Sequence, residues 1–388
     1  MFDPQRFISD RARAIDASGI RRVFDLGATL RDPINLSIGQ PHFDVPEPIK
    51  AAAIEAIQQG ANRYTVTQGI EALRAKVAQQ LSRDCPLWKD GLESGDLRVL
   101  ITSGVSGGLL LAMLACVGPG DEVLVPDPYF VMYRHLITLA GAKAVYVDTY
   151  PDFQLTAERI ERHITPRTKM LLFNSPSNPT GVVATESTCR EVVELAQRHN
   201  ILLLSDEIYD EFCYEKVDRN GVARCPSPAV YSTDMLLMKG FSKTYGMTGW
   251  RLGWVAGPRP IIEQLTKLQQ YSFVCAPSMV QQAGVVALDL DMSGYVEQYR
   301  RKRDRVVERL GALYPLTTPG GAFYAFPQVP ERLGLTATQF VEQAISRSVL
   351  IIPGSVFSNR DTHFRLSYAC DEAMLERGLD VLVEMAGG

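Results

Sequence analysis

Six short apolar runs punctuate the middle of the chain: LRVLIT at 97–102, EVLVP at 122–126, KAVYVD at 143–148, KMLLF at 169–173, ILLLS at 201–205 and MLLMK at 235–239. None of them alternates polar with apolar residues, so each reads as a strand covered on both faces. Between the runs the period changes. Leu73, Val77 and Leu81 recur every fourth residue, and Cys189, Val192, Val193 and Ala196 share one face of a helix over 187–199. The run LLLAMLACV at 109–117 reads as a further helix. Strands alternating with helices predict an α/β fold, a mostly parallel sheet flanked by helices on both sides.

Past about residue 290 the texture shifts. An amphipathic helix over roughly 295–314 presents Tyr299, Val306, Leu310 and Leu313 on its apolar side. Its run Arg300, Arg301, Lys302, Arg303 reads as a solvated face rather than an anion site. FYAFP at 323–327, VLIIPG at 349–354, HFRLSY at 363–368 and a closing helix from Asp371 predict a smaller α+β domain. The expected division is a large domain over 46–290 and a small domain built from 1–45 and 291–388.

Composition narrows the classes. The length of 388 residues suits two domains sharing a core, and 46% hydrophobic with 22% charged residues is ordinary for a soluble protein. A net charge of −4 argues against nucleic acid as a partner. Seven scattered cysteines form no CxxC pair, so neither a metal site nor a redox motif is expected. The N-terminus lacks an export signal and the longest apolar run is half a bilayer span, which predicts a cytoplasmic protein with no membrane partner.

In parallel sheets, ligands sit beyond the carboxyl ends of the strands, and the unusual residues gather there. SGVSGG at 103–108 opens onto a helix whose free N–H groups suit a phosphate, although many strand-to-helix turns are glycine-rich. DPYFVMY at 127–133 brings aromatics that either stack on a planar ligand or pack the core. NSPSNPTG at 174–181 makes a rigid turn in which the Asn178 amide can meet a ligand oxygen. Asp206, at the end of an apolar strand, is either a helix N-cap or the counter-charge of a buried cation, with Tyr209 three residues on. The last run leads into FSKTYGMTGWRLGW at 241–254, where Lys243 and Arg251 have no acid between them. Two cations so placed make sense if the missing anion arrives on a phosphorylated ligand. A desolvated lysine there would be partly neutral and nucleophilic, and arginine's planar fork suits a phosphate.

This stretch resembles the pyridoxal-phosphate attachment motif of class I/II aminotransferases, the fold-type-I family typified by aspartate aminotransferase. LSIGQPHFDVP (36–46), YTVTQGIEALR (64–74), SPSNPTG (175–181), DEIYDEF (206–212), GGAFYAF (320–326) and FRLSY (364–368) resemble further blocks of that family, in its order. The resemblance implies that Lys243 forms the Schiff base with pyridoxal 5′-phosphate and that Asp206 pairs with the ring nitrogen. It implies that Tyr209 and Asn178 bond the phenolic oxygen and that Phe130 lies on the ring face. Val105, Ser106, Ser242 and Arg251 would hold the phosphate, Tyr64 would reach the phosphate of the neighbouring subunit in a homodimer, and Gly39 and Arg365 would bind the substrate carboxylate. Gly240 stands where many members carry a serine, Phe130 replaces Trp or Tyr, and no arginine for a distal carboxylate is evident.

The implied reaction is ping-pong transfer of an amino group from an L-amino acid to a 2-oxo acid such as 2-oxoglutarate. Three alternatives share the scaffold: a carbon–sulfur β-lyase, a cyclopropane-forming synthase and a non-enzymatic regulator. Against the last, the 35 residues before Leu36 are too few for a winged helix.

Overall fold

In the computed structural model, residues 2–17, 19–20, 23, 27, 30–214 and 225–387 are described. Its strands are β1 (Ile34–Asn35), β2 (Leu97–Ser103), β3 (Glu122–Asp127), β4 (Lys143–Asp148), β5 (Thr168–Asn174), β6 (Leu202–Asp206), β7 (Met235–Gly240), β8 (Leu252–Pro258), β9 (Tyr324–Ala325), β10 (Val349–Leu350), β11 (Ile352–Pro353) and β12 (Phe364–Ser367). The longer helices are α1 (Glu47–Gln58), α2 (Glu71–Asp84), α3 (Gly104–Cys116), α4 (Met132–Ala140), α5 (Glu186–Arg198), α6 (Arg259–Gln270), α7 (Ser278–Ala287), α8 (Ser293–Leu310), α9 (Ala337–Ser346) and α10 (Glu372–Met385). Among the described residues, no helix is long and apolar enough to cross a membrane.

Seven strands form the central sheet in the order β2-β8-β7-β6-β5-β3-β4. All six apolar runs read from the sequence are in it, within one or two residues of the expected bounds. The seventh, β8, was not expected. It runs antiparallel to both β2 and β7, with Gly253 level with Thr102 on one side and Gly240 on the other. Successive side chains of each strand point to opposite faces. Val123, Val125, Leu172, Leu204 and Met238 pack with Leu109 and Ala112 of α3 and Leu265 of α6. Leu124, Leu171, Leu203 and Leu237 pack on the other face with Leu73 and Val77 of α2 and Val192 of α5. Each such buried side chain contributes about 1.5–3 kcal/mol, and together they fix the strands that carry the site.

The two ends of the chain meet. β1 pairs in parallel with β10, Ile34 opposite Val349, while β11, β12 and β9 form a three-stranded antiparallel sheet. Helix α8 buries Tyr299, Val306 and Leu310 as expected but stops at Leu310, short of the predicted end. It also buries Lys302 and Arg303, so only part of the basic run is a solvated face. Arg303 donates to the Pro319 carbonyl and Lys302 to that of Cys370. These partners come from distant segments, which periodicity on one helix does not reveal.

Candidate active site

A cavity of about 290 Å³ opens at the carboxyl edge of the sheet. Gly39, Val105, Ser106, Phe130, Asn178, Asp206, Tyr209, Ser242, Lys243, Arg251 and Arg365 all line it. Tyr64 is absent from that lining; it stands 83% exposed on the surface.

One turn places the two cations. β7 ends at Gly240 and β8 begins at Leu252, so Lys243 and Arg251 occupy the connection between antiparallel neighbours. Arg251 adopts a left-handed backbone (φ 57°) that turns the chain into β8. Its Nη1 donates to the Thr248 carbonyl (2.9 Å) and its Nη2 to Ser106 Oγ (3.3 Å). Two glycines keep the approach clear. A Cβ on Gly104 (φ +70°) would lie 2.5 Å from Arg251 Nη2, and one on Gly253 would lie 2.7 Å from Val105 N. No side chain caps the start of α3, so its first N–H groups remain available to an anion. Gly240 is confined less severely, an added Cβ lying 3.0 Å from side-chain atoms of both Ile208 and Val105.

Lys243 Nζ donates to the Gly39 carbonyl at 2.6 Å and lies 5.8 Å from the centre of the Tyr209 ring. Among the described residues no carboxylate reaches ion-pair distance. Burial, and then the charges of Arg365 and Arg251, pull its pKa down to about 8 against a smaller opposing pull from Asp206. Among the described residues, Asp206 is the one acid in the lining. Burial pushes its carboxyl up to about 6, while hydrogen bonds from the Tyr133 hydroxyl (2.8 Å) and the Ile208 N–H (3.3 Å) favour the anion.

Arg365, on β12, is buried. Its Nη1 donates to Asn178 Oδ1 (3.0 Å) and its Nη2 to the Ser37 carbonyl (2.7 Å), yet Nε has no partner. The guanidinium lies 4.6 Å from the centre of the Tyr324 ring and 4.7 Å from that of Phe357. An idle buried donor costs about 1–3 kcal/mol, which an incoming carboxylate would recover. Asn178 is steadied in turn, its N–H donating to Asn174 Oδ1 (3.1 Å) while Asn174 Nδ2 donates to the Asp206 carbonyl (2.9 Å).

Sequence reasoning missed two residues here. Tyr133 holds Asp206, and the Tyr324 hydroxyl is hydrogen-bonded to that of Tyr209 at 2.8 Å. Both stand inside stretches singled out for other residues, DPYFVMY and GGAFYAF.

A second lysine sits four residues before the first. Lys239 Nζ lies 2.9 Å from Asp210 and 3.4 Å from the buried Glu207, whose carboxylate also accepts from Ser205 and Ser227. Its pKa is held well above the ordinary lysine value, the neighbouring acids outweighing burial.

The donor set fits pyridoxal phosphate. Two cations without acids and an uncapped helix start suit a phosphate and an aldehyde, and a buried, hydrogen-bonded carboxylate suits a protonated ring nitrogen. The comparisons agree. The chain matches the family described as Aminotransferase class I and II over residues 31–382. It is 35% identical over 384 residues to the aromatic-amino-acid aminotransferase 2 of Thermococcus litoralis, with 96% of each chain covered. It is likewise 35% identical over 383 residues to an aspartate aminotransferase of Pyrococcus abyssi, again covering 96% of each. The solved aspartate aminotransferase of Thermus thermophilus with maleate superposes with a TM-score of 0.89 at 33% identity, covering 97% of this chain and 99% of that one. The chain therefore belongs to the class I and II aminotransferases and is a pyridoxal-phosphate-dependent transaminase.

Proposed function

We propose that the cavity takes an L-amino acid by its carboxylate on Arg365 and passes the amino group to a 2-oxo acid, with Lys243 as the group that moves the proton. The observation that carries this reading is the unpartnered Nε of buried Arg365 in the same lining as an acid-free lysine. Pyridoxal phosphate, when bound, supplies an aldehyde that holds the amino group and a ring that draws electrons from the Cα–H bond. Ser106, Ser242, Arg251 and the N–H of Val105 take its phosphate, Tyr209 and Asn178 its phenolic oxygen, and Phe130 its face. Asp206, anionic above about pH 6, takes its ring nitrogen. Lys243, with its pKa drawn to near 8 in the cofactor-free chain, would be neutral often enough near physiological pH for its freed Nζ to accept the Cα proton and return it on the far side of the amino nitrogen, two atoms away. The Gly39 carbonyl orients that amine.

The three cations of the lining each have a role, and the described residues offer no fourth for a distal carboxylate. Ile20, Leu109 and Phe130 add apolar surface. That apolar surface suits donors with an uncharged side chain, aromatic or branched, and both aromatic-amino-acid and aspartate aminotransferases are among the relatives. The 65–69 loop, tied down by Gln281 to Thr65 (3.1 Å) and Gln269 to the Thr67 carbonyl (2.7 Å), leaves Tyr64 and Val66 outward. That fits a homodimer in which Tyr64 reaches the partner's phosphate. The cysteines of the described residues are all unbridged, in keeping with a cytoplasmic setting.

Following the visible absorbance of the lysine-bound cofactor as single amino acids are added tests the reading. Aromatic and branched donors should bleach it at lower concentration than aspartate, and Arg365→Lys should raise the required concentration about tenfold or more, since a bidentate clamp becomes a point charge. Bleaching that ignores the Arg365 change would refute the assignment. Pyruvate release from cystathionine without any oxo acid would instead mark a β-lyase.

A further inference from the structure

Residues 37–43 form a strap that leaves Leu36, itself fixed by backbone bonds to Leu350 and Ser367, passes the cavity at Gly39 and ends against α8. At one end the carbonyls of Ser37 and Gly39 accept from Arg365 (2.7 Å) and Lys243 (2.6 Å). At the other end, His42 is gripped by α8. Its backbone N–H donates to Tyr299 Oη (3.0 Å), its Nδ1 lies 2.8 Å from the same oxygen, and its Nε2 lies 3.2 Å from Lys302 Nζ.

The hydrogen-bond roles fix the tautomer. A lysine ammonium only donates, so Nε2 must be the acceptor and Nδ1 carries the hydrogen toward Tyr299. Lys302 is buried, bonded to the Cys370 carbonyl and stacked 5.3 Å from the Tyr299 ring centre. No carboxylate of the described residues pairs with it. The grip therefore requires a neutral imidazole, because a proton on Nε2 would set two cations against each other at contact distance.

We propose that His42 is a positioning residue for transamination: neutral, it locks the strap to α8 through Lys302 and Tyr299; protonated, it is pushed off Lys302, which loosens the strap and shifts the carbonyls of Ser37 and Gly39 against Arg365 and Lys243. The consequence for Arg365 rests on the carboxylate-binding reading above. Four titratable or charged groups face His42. Lys302 and Tyr299 come from α8, and Asp371 and Glu372 from the start of α10. Burial and Lys302 together hold the imidazole below its ordinary value of 6.5, outweighing the two acids. Asp371 is in any case engaged as an N-cap, accepting from the Met374 N–H at 2.8 Å.

The test compares holoenzyme, His42→Gln and Lys302→Met. Glutamine keeps an acceptor toward Lys302 but does not titrate, and methionine removes the opposing charge. In the unaltered protein, KM for the amino donor should climb by up to about tenfold per pH unit below the His42 midpoint while kcat changes less. In His42→Gln that limb should vanish, and in Lys302→Met it should move up toward 6.5. With five histidines in the chain, the His42 ring signal can be assigned and titrated by NMR without donor, and amide exchange of 37–43 should speed up below the same midpoint. A limb that survives His42→Gln, or a His42 midpoint indifferent to Lys302→Met, overturns the proposal. Absence of transamination in all three proteins strikes the site reading alone, because the NMR midpoint and the exchange rates support or overturn the lock by themselves.

Discussion

Lys239 and Lys243 stand four residues apart at the same edge of the sheet and end in opposite states. Lys239 has Asp210 and Glu207 within 3.4 Å and is held charged, well above the ordinary lysine value. Lys243 has a carbonyl and two arginines for company and is drawn down to about 8. Burial acts on both in the same direction. The carboxylates decide the outcome, so a lysine in a sheet-edge cavity is structural when acids meet it and chemical when they do not.

Removing each amine in turn probes that contrast hardest. Lys243→Ala should cut turnover by on the order of 10³–10⁴, the scale of a lost general base, while the cofactor-free chain unfolds at the same denaturant concentration or a higher one. Turnover within tenfold of the original would erase the distinction. Lys239→Met should do the reverse, because it strands the buried Glu207 beside Asp210. About 3 kcal/mol of stability should go, read as a lower denaturant midpoint, with turnover per folded molecule little changed.

The smallest effect is the most diagnostic of sign. As pH falls from 10.5 toward 8 the unfolded chain protonates Lys243 first, so the cofactor-free protein should lose stability across that window and regain it as pH rises. The contribution of Lys239 is complete below 10.5 and declines only at higher pH, as its raised value is crossed. Stability curves over pH 8 to 10, across which this linkage is worth about 2 kcal/mol, should therefore flatten in Lys243→Ala. A curve unaltered by that change would mean the two amines titrate alike.

Much of this was legible beforehand. Continuous apolar runs betray strands covered on both sides, and six of the seven in the central sheet declared themselves that way. β8, LGWVAGP, is broken by two glycines whose positions are set by close neighbours at Val105 and Leu236, so it lacked an apolar signature. Lys243 and Arg251 were legible because cations without local acids are conspicuous, whereas Gly39, Val105, Ser242 and Arg365 were marked only by the resemblance to the family. Tyr133 and Tyr324 were not, since their partners lie 73 and 115 residues away in sequence. Lys302 and Arg303 misled for a related reason: each donates to a backbone carbonyl, Arg303 besides its pairing with Asp304, and carbonyls leave no trace in composition.

The reversed direction of β8 has a further consequence. Had it run with its neighbours, a crossover of a dozen or more residues would separate it from β7, and the guanidinium would arrive on a separate element from the amine. Instead one continuous connection, residues 241–251, carries both charges, and any slackening there displaces them in concert. Partial decay of the site, keeping the anion cradle but misaiming the nucleophile, is thereby made difficult; the two functions persist or perish as a unit.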